Sequence, residues 1–410
     1  MKKQILKLAL LVTLAGTIAS AQSPLESLTL EQAVAIAERQ HPQLAEAHAL
    51  VEAAAGRAQQ AGTFPNPELI VGAQQLPLDS GASNQREFVA GVAQPIPLGS
   101  RLGKARVAEL LEREVRARGL EVARRDLRKR VHSAFATALY QERAAQAQLQ
   151  IAQSFEKAVA TTKARREAGD AVPEDQARVE MELARAKVEF HRSQNLREQS
   201  RVALAAAIGD VTLKVNSLAG SLDATFEIPT LESLAANLPS QPEARAAEAG
   251  LRASNARVDL AKVERIPDVK VEALYHRLEA TRENTLDIGL SIPLPLFDRN
   301  QGRVREARAE AAAAQARVRA TQLDLNARLR ETHATLTASL ASSRAIKTEI
   351  LPRADTILKT AETRYAAGDI SLGEILPVRR DWAVLQLAYL ESLRDVLQAW
   401  ADLSTLTKSN

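Results

Sequence analysis

The chain repeats itself at an interval of about two hundred residues, and that duplication limits its fold more than any single motif does. Gln40-His41-Pro42-Gln43 is answered by Ser240-Gln241-Pro242-Glu243, and Pro67 before Glu68-Leu69-Ile70-Val71 by Pro267 before Asp268-Val269-Lys270-Val271. Gln94-Pro95-Ile96-Pro97-Leu98 is answered by Ile292-Pro293-Leu294-Pro295-Leu296, and Ala168-Gly169-Asp170 by Ala367-Gly368-Asp369. Each unit reads helix, short strand, short strand, very long helix, breaker, helix. That outline suits a duct rather than an enzyme.

The first residues read as a secretory leader. Lys2 and Lys3 form its basic end, Ile5 to Ala19 is apolar, and Ala19-Ser20-Ala21 places cleavage before Gln22. The apolar stretch is too short for a spanning helix, and no later stretch approaches one, so membrane insertion would have to use strands. The division that follows is 1–21 leader, 22–210 first repeat, 211–228 linker, 229–407 second repeat and 408–410 tail. There is no cysteine, so neither disulfides nor lipidation is expected. Removing Lys2, Lys3 and Lys7 takes the 54 basic residues to 51 against 50 acidic, so the basic balance is no argument for nucleic acid. Aromatics are 3% of the chain, which favours long helices packed through small side chains over a thick aromatic core.

Thr29-Leu30-Glu31-Gln32 is a capped helix start, and the helix is expected to run to about Ala61, where Pro65 and Pro67 stop it. Strands are expected at 68–76 and 87–96, joined by the turn-rich Asp79 to Asn84, and in the second repeat at 268–276 and 286–292. Between them, Lys104 to Glu167 contains no proline and one glycine, a helix of roughly 95 Å. Val131, Ala138, Ala145, Ala152 and Val159 recur every seven residues within it, a close-packed helix seam. A further helix is expected from Pro173 to Ala207, then an irregular linker over Gly209 to Thr225. The fold class is mainly α with a small β part.

The second pair of strands alternates strictly: Val269, Val271, Ala273 and Tyr275 on one face, and Leu286, Ile288, Leu290 and Ile292 on one face. Strands of about ten residues match the tilted crossing of a membrane barrel. Strand–helix junctions fall at Pro65, Pro67, Pro95, Pro97, Pro267, Pro293 and Pro295, with Phe64 and Phe297 as interfacial aromatics. Four strands cannot close a barrel, and an open edge does not persist in hydrocarbon, so closure needs other copies and eight or twelve strands. The rival reading is an exported coiled-coil scaffold with small capping hairpins.

These residues resemble the TolC-like outer-membrane efflux protein family over about Leu28 to Thr407. The carrying motifs are Phe64-Pro65-Asn66-Pro67-Glu68-Leu69, Gln94 to Gly99, Ile292 to Asn300, and Arg364-Tyr365-Ala366-Ala367-Gly368. The proline motifs most resemble the heavy-metal branch serving cobalt–zinc–cadmium or copper–silver pumps. The resemblance implies a homotrimer, a twelve-stranded barrel in outer-membrane lipid and a helical tunnel across the periplasm. It also implies docking to a periplasmic adaptor, with an inner-membrane pump behind it, and leaves drug export or protein secretion as alternative traffic. Val172, Ser371 and Leu372 match the adaptor-docking segment, and Arg364 and Tyr365 the gate neighbourhood. The family commonly has an aspartate at Pro377 and, in some members, an arginine at Ile370; both departures imply a weaker latch.

Helix-tip turns are expected at Gly169 and Gly368. Six residues beyond each stands an acid, Asp175 and Glu374, and Asp170 and Asp369 also correspond. As rings at a mouth, these carboxylates would attract cations; as helix-start residues, they would merely complement the dipole. Pro352 lies inside the second long helix, where the first repeat has Gln153, and is expected to kink it. His41, His48, His132, His191, His276 and His333 show no metal-ligand spacing. The Gly99 to Lys104 segment is one residue short of a phosphate loop, with Ala105 where a hydroxyl would bind magnesium. No catalytic residue, metal site or cofactor is expected.

Overall fold

A computed structural model describes residues 27–76, 86–223 and 226–407. The expected leader, the turn over Asp79 to Asn84 and the 408–410 tail lie outside the described residues.

The capped start is present. Thr29 Oγ1 accepts the Gln32 N–H at 3.2 Å while Gln32 Oε1 accepts the Thr29 N–H at 3.0 Å, opening α1 (Leu30–Gln40). The expected single helix to Ala61 is two, because Pro42 supplies no donor and begins α2 (Pro42–Ala61) instead. His41 Nδ1 caps it, accepting the Gln43 N–H at 3.2 Å. Burial, with Arg130 nearby, lowers the His41 pKa, which favours the neutral ring this acceptor role requires.

β2 (Glu68–Gln74) and β3 (Glu87–Ile96) form one hairpin, β5 (Val269–Leu278) and β6 (Asn284–Ser291) the other. All neighbours are antiparallel in the order β2-β3-β5-β6. The junction prolines lie outside the strands, with one exception. Pro95 is inside β3, opposite Lys270, while Gln94 Nε2 donates to the Pro65 carbonyl at 3.0 Å and holds the strand end against the incoming chain.

Helix α3 (Arg101–Glu167) is a single 67-residue element, about 100 Å long. Its seam is real: Val131, Ala138, Ala145 and Ala152 are buried, and α4 (Pro173–Ile208) packs along α3. The linker is less irregular than expected. β4 (Leu218–Ala219) pairs in parallel with β1 (Leu28–Thr29), and Leu218 and Leu222 fill a core with Leu127, Val131 and Leu139. Apolar side chains four residues apart dock there, which a breaker-based reading does not reveal.

The second repeat opens with α5 (Leu231–Ala235), a 3₁₀ turn (Leu238–Ser240) and α6 (Pro242–Val263). After the strands come α7 (Gln301–Ala345), a π turn (Ile346–Ile350), α8 (Leu351–Ala367) and α9 (Leu372–Thr407). Pro352, expected to kink the second long helix, lies in the first turn of α8, directly after a π turn that interrupts the α-helical hydrogen bonding. The helices that flank the strands pack in the order α2, α3, α6, α7.

Candidate functional site

The sheet is built inside out. Register places Leu69, Val92, Ala273 and Ile288 in one cross-strand row, and Val71, Ala90, Tyr275 and Leu286 in the next. Leu69, Val71 and Ile288 are 77%, 74% and 79% exposed, whereas Val89 and Ala93 on the opposite face are buried. That opposite face is the polar one. Lys270 donates to Glu68 at 3.1 Å, and His276 sits between Glu87 and Asp287, using its two ring nitrogens for different carboxylates. Such a bridging imidazole does not converge on one point, and among the described residues no set of three donors is placed to hold a metal. A water-soluble sheet would expose the second face and cover the first. Outer β2 and β6 each leave a backbone edge unpaired.

At the far end of the long helices are the two tips, closed by the same turn. Gly169 and Gly368 both adopt φ of +87°, the left-handed conformation that a glycine enters without a Cβ clash. The Asp170 N–H returns to the Arg165 carbonyl at 2.8 Å, and the Asp369 N–H to the Arg364 carbonyl at 2.9 Å. Sequence-matched glycines thus produce one closure at both tips.

The corresponding acids behave differently. Glu374 Oε2 accepts from the Ser371 N–H and from Ser371 Oγ, each at 2.8 Å. The backbone N–H first, then the hydroxyl and the Arg364 charge, hold its carboxyl below the usual glutamate range. Glu374 is therefore occupied as a helix cap. Asp175, half-buried, makes no such bond; its backbone N–H closes on the Val172 carbonyl at 3.1 Å. Asp170 and Asp369 are exposed.

Between the tips lies a packed cluster that includes Val179, Tyr365, Ile370, Leu372 and Ile375. Burying each such aliphatic contributes about 1.5–3 kcal/mol. Leu372, expected to dock an adaptor, is 2% exposed within this cluster, so its side chain belongs to the fold. Val172 and Ser371 are exposed; Arg364 is exposed and Tyr365 buried. The Tyr365 hydroxyl meets Thr162 Oγ1 at 2.8 Å. Arg165 lies 4.6 Å over the Tyr365 ring and donates to the carbonyls of Tyr365 (2.8 Å) and Asp170 (3.2 Å), so one guanidinium ties both tips. Further back, buried Arg379 pairs with Glu362 at 2.8 Å and donates to Ser154 Oγ at 2.6 Å; burial lowers its pKa, and Glu362 opposes that shift. Arg380 pairs with the buried Glu182.

Thr162, Arg165, Glu182 and Arg379 were not singled out from sequence. One signal was available: Arg165 and Arg364 stand at equal distance before their tip glycines. Thr162 and Arg379 gave none, because their partners lie on other helices.

Comparison with known proteins agrees with this geometry. The family model described as outer membrane efflux protein matches residues 33–210 and 234–407. A cobalt-zinc-cadmium resistance protein of Cupriavidus metallidurans is 28% identical over 372 residues, covering 91% of this chain and 88% of the relative. A nickel-cobalt-cadmium resistance protein of Alcaligenes xylosoxydans is 31% identical, covering 78% and 72%. Among solved structures, CusC, described for its folding and transmembrane channel formation, superposes with a TM-score of 0.81 at 15% identity, covering 93% of this chain and 92% of that one.

Proposed function

We infer function from one premise: the chain belongs to the outer membrane efflux protein family. It is a passive exit duct of a tripartite efflux system, with no chemistry of its own. The observation that carries this reading is the inverted sheet, apolar outward and polar inward, on top of a long helical body. A bilayer is the solvent in which that arrangement is stable, because lipid accepts the apolar rows and water fills the polar side. The free edges of β2 and β6 cost several kcal/mol per unpaired group in hydrocarbon. Three copies, each β6 meeting the next β2, remove them and form a twelve-stranded barrel. The packing order α2, α3, α6, α7 then continues below as a twelve-helix tunnel.

Heavy-metal cations are the proposed cargo, supported by the resistance proteins to which the chain is similar. Energy comes from an inner-membrane pump, and a periplasmic adaptor docks at the tips through the exposed Val172 and Ser371. Asp170, Asp175, Asp369 and Glu374 place carboxylates at the periplasmic mouth, where they raise the local cation concentration. The test is outer-membrane fractionation, oligomer mass in detergent and conductance in planar bilayers. The duct reading expects a heat-modifiable trimer that conducts. A stable folded monomer without conductance would instead support the coiled-coil scaffold.

A further inference from the structure

We propose that the groove between the end of α6 and the start of α7 binds the phosphodiester headgroup of an anionic phospholipid, fastening the duct at the edge of the bilayer. The inference rests on the membrane-spanning reading above. The groove measures about 620 Å³ and is lined by Arg265, Arg299, Arg305 and Arg308, with Leu296 and Phe297 at its lip. Arg305 and Arg308, three residues apart, share one face of α7. Arg265 stands four residues before β5, and Arg299 eight residues after β6, so both ends of this hairpin supply a guanidinium at the level where strand gives way to helix.

None of the four enters an ion pair among the described residues, and two of the acids nearby have other partners. Glu264 lies 3.9 Å from Arg303 and Asp298 accepts the Asn300 N–H at 2.9 Å. The first repeat shows what a neutralised junction looks like: Arg101 pairs with Asp268 at 2.7 Å and Lys104 with Asp259 at 3.8 Å. In the proposed barrel order α2 of the next copy lies beside α7, and the last nine residues of α2, Ala53 to Ala61, include Arg57 and no acid.

Guanidiniums without an ion-pair partner, gathered in one groove, favour an oxyanion that can bridge them, and the non-ester oxygens of a phosphodiester fit their paired N–H donors. The lip decides between a free phosphate and a lipid. Phe297 is 91% and Leu294 74% exposed, directly after the outward apolar rows of β6, so apolar surface continues from the membrane face to the groove. An acyl chain can lie there; water alone is a poor partner for it.

The test uses the full-length oligomer purified in detergent, followed by native mass spectrometry with added phosphatidylglycerol, phosphatidylethanolamine or inorganic phosphate. Wild type should retain phosphatidylglycerol in preference to phosphatidylethanolamine, and inorganic phosphate should not displace it. The variant Arg265→Gln/Arg305→Gln/Arg308→Gln should bind it roughly 100-fold more weakly, at about fivefold per cation near an anionic headgroup. Arg317→Gln/Arg319→Gln/Arg330→Gln, which removes as many charges lower on the same helix, should bind as wild type does. If the glutamine variant fails to assemble, Arg305→Lys/Arg308→Lys takes its place and should lose affinity while keeping the preference for negative charge. Equal retention by wild type and the groove variants, equal retention of the zwitterionic lipid, or displacement by phosphate would each overturn the proposal. Because the measurement is made on an assembled oligomer, its failure leaves the duct reading standing, whereas a monomer would remove both.

Discussion

The first repeat runs from sheet to tip in one 67-residue helix, whereas the second covers the same path in two helices joined by a π turn. The ends of the path are alike. Both long helices are entered through a left-handed residue, Ser100 with φ of 62° and Asn300 with φ of 58°, and both end at a glycine with φ of +87°. Junctions and tips therefore keep their geometry while the middle diverges. Roles diverge too. The second tip contributes the buried Tyr365, Ile370 and Leu372, and the first contributes Thr162 and Arg165, which hold Tyr365. A shared turn conformation does not imply a shared job.

The largest test of that division removes the centre of the tip cluster. Tyr365→Ala should cost about 4 kcal/mol, as for other large buried aromatics, and loosen the tip in chemical denaturation at fixed protein concentration. Arg166→Ala, at the corresponding but exposed position of the first repeat, should stay within about 0.5 kcal/mol. Similar losses from both would erase the contrast.

Next comes the long helix. Gln153→Pro places in α3 the residue that the second repeat has at Pro352, and should cost about 3 kcal/mol because α3 has no break to receive it. Pro352→Gln should be nearly neutral, since Pro352 already occupies a first turn. Thermal unfolding of the two variants decides; comparable destabilisation would mean that the π turn does not accommodate the proline.

Smaller again is the pair Arg165 and Arg364. Arg165→Ala loses two charge-assisted hydrogen bonds and a ring contact, about 2 kcal/mol. Arg364→Ala should lose a few tenths at most. Bilayer recordings should also show more frequent opening in the first variant only.

The smallest effect concerns the mouth acids. Asp175→Asn should reduce cation preference at low salt more than Glu374→Gln, because Glu374 is occupied by Ser371. The difference should vanish near 1 M salt, where the screening length is about 3 Å. Glu374 should instead show in a pH scan. Its folded pKa is lowered, so its support for the α9 start is present above the ordinary glutamate range and lost as pH falls through the folded value. The protection factor of the Ser371 amide, with the pH dependence of intrinsic exchange divided out, should fall on acidification in wild type and stay level in Glu374→Gln. Unchanged selectivity in both variants would leave these acids as helix-start residues alone.

Much of this was legible in residue order. The offset between Gly169 and Gly368 located both tips, the alternation from Val269 to Tyr275 located the membrane face, and the seven-residue spacing from Val131 to Ala152 located a packed seam. Each is a local rule: glycine reaches φ values other residues avoid, a strand alternates every second residue, and proline supplies no donor. By itself the sequence therefore determined where elements start and stop and which face of each is apolar. Tertiary structure alone decided that the Tyr365 hydroxyl meets Thr162, that Arg379 reaches Ser154 on another helix, that Leu372 turns inward, and that Arg265 stands across a groove from Arg305. Those partners lie far apart along the chain, and no periodicity links them. Which side chains meet depends on how long helices lie against one another, set by the packing of the whole body at once.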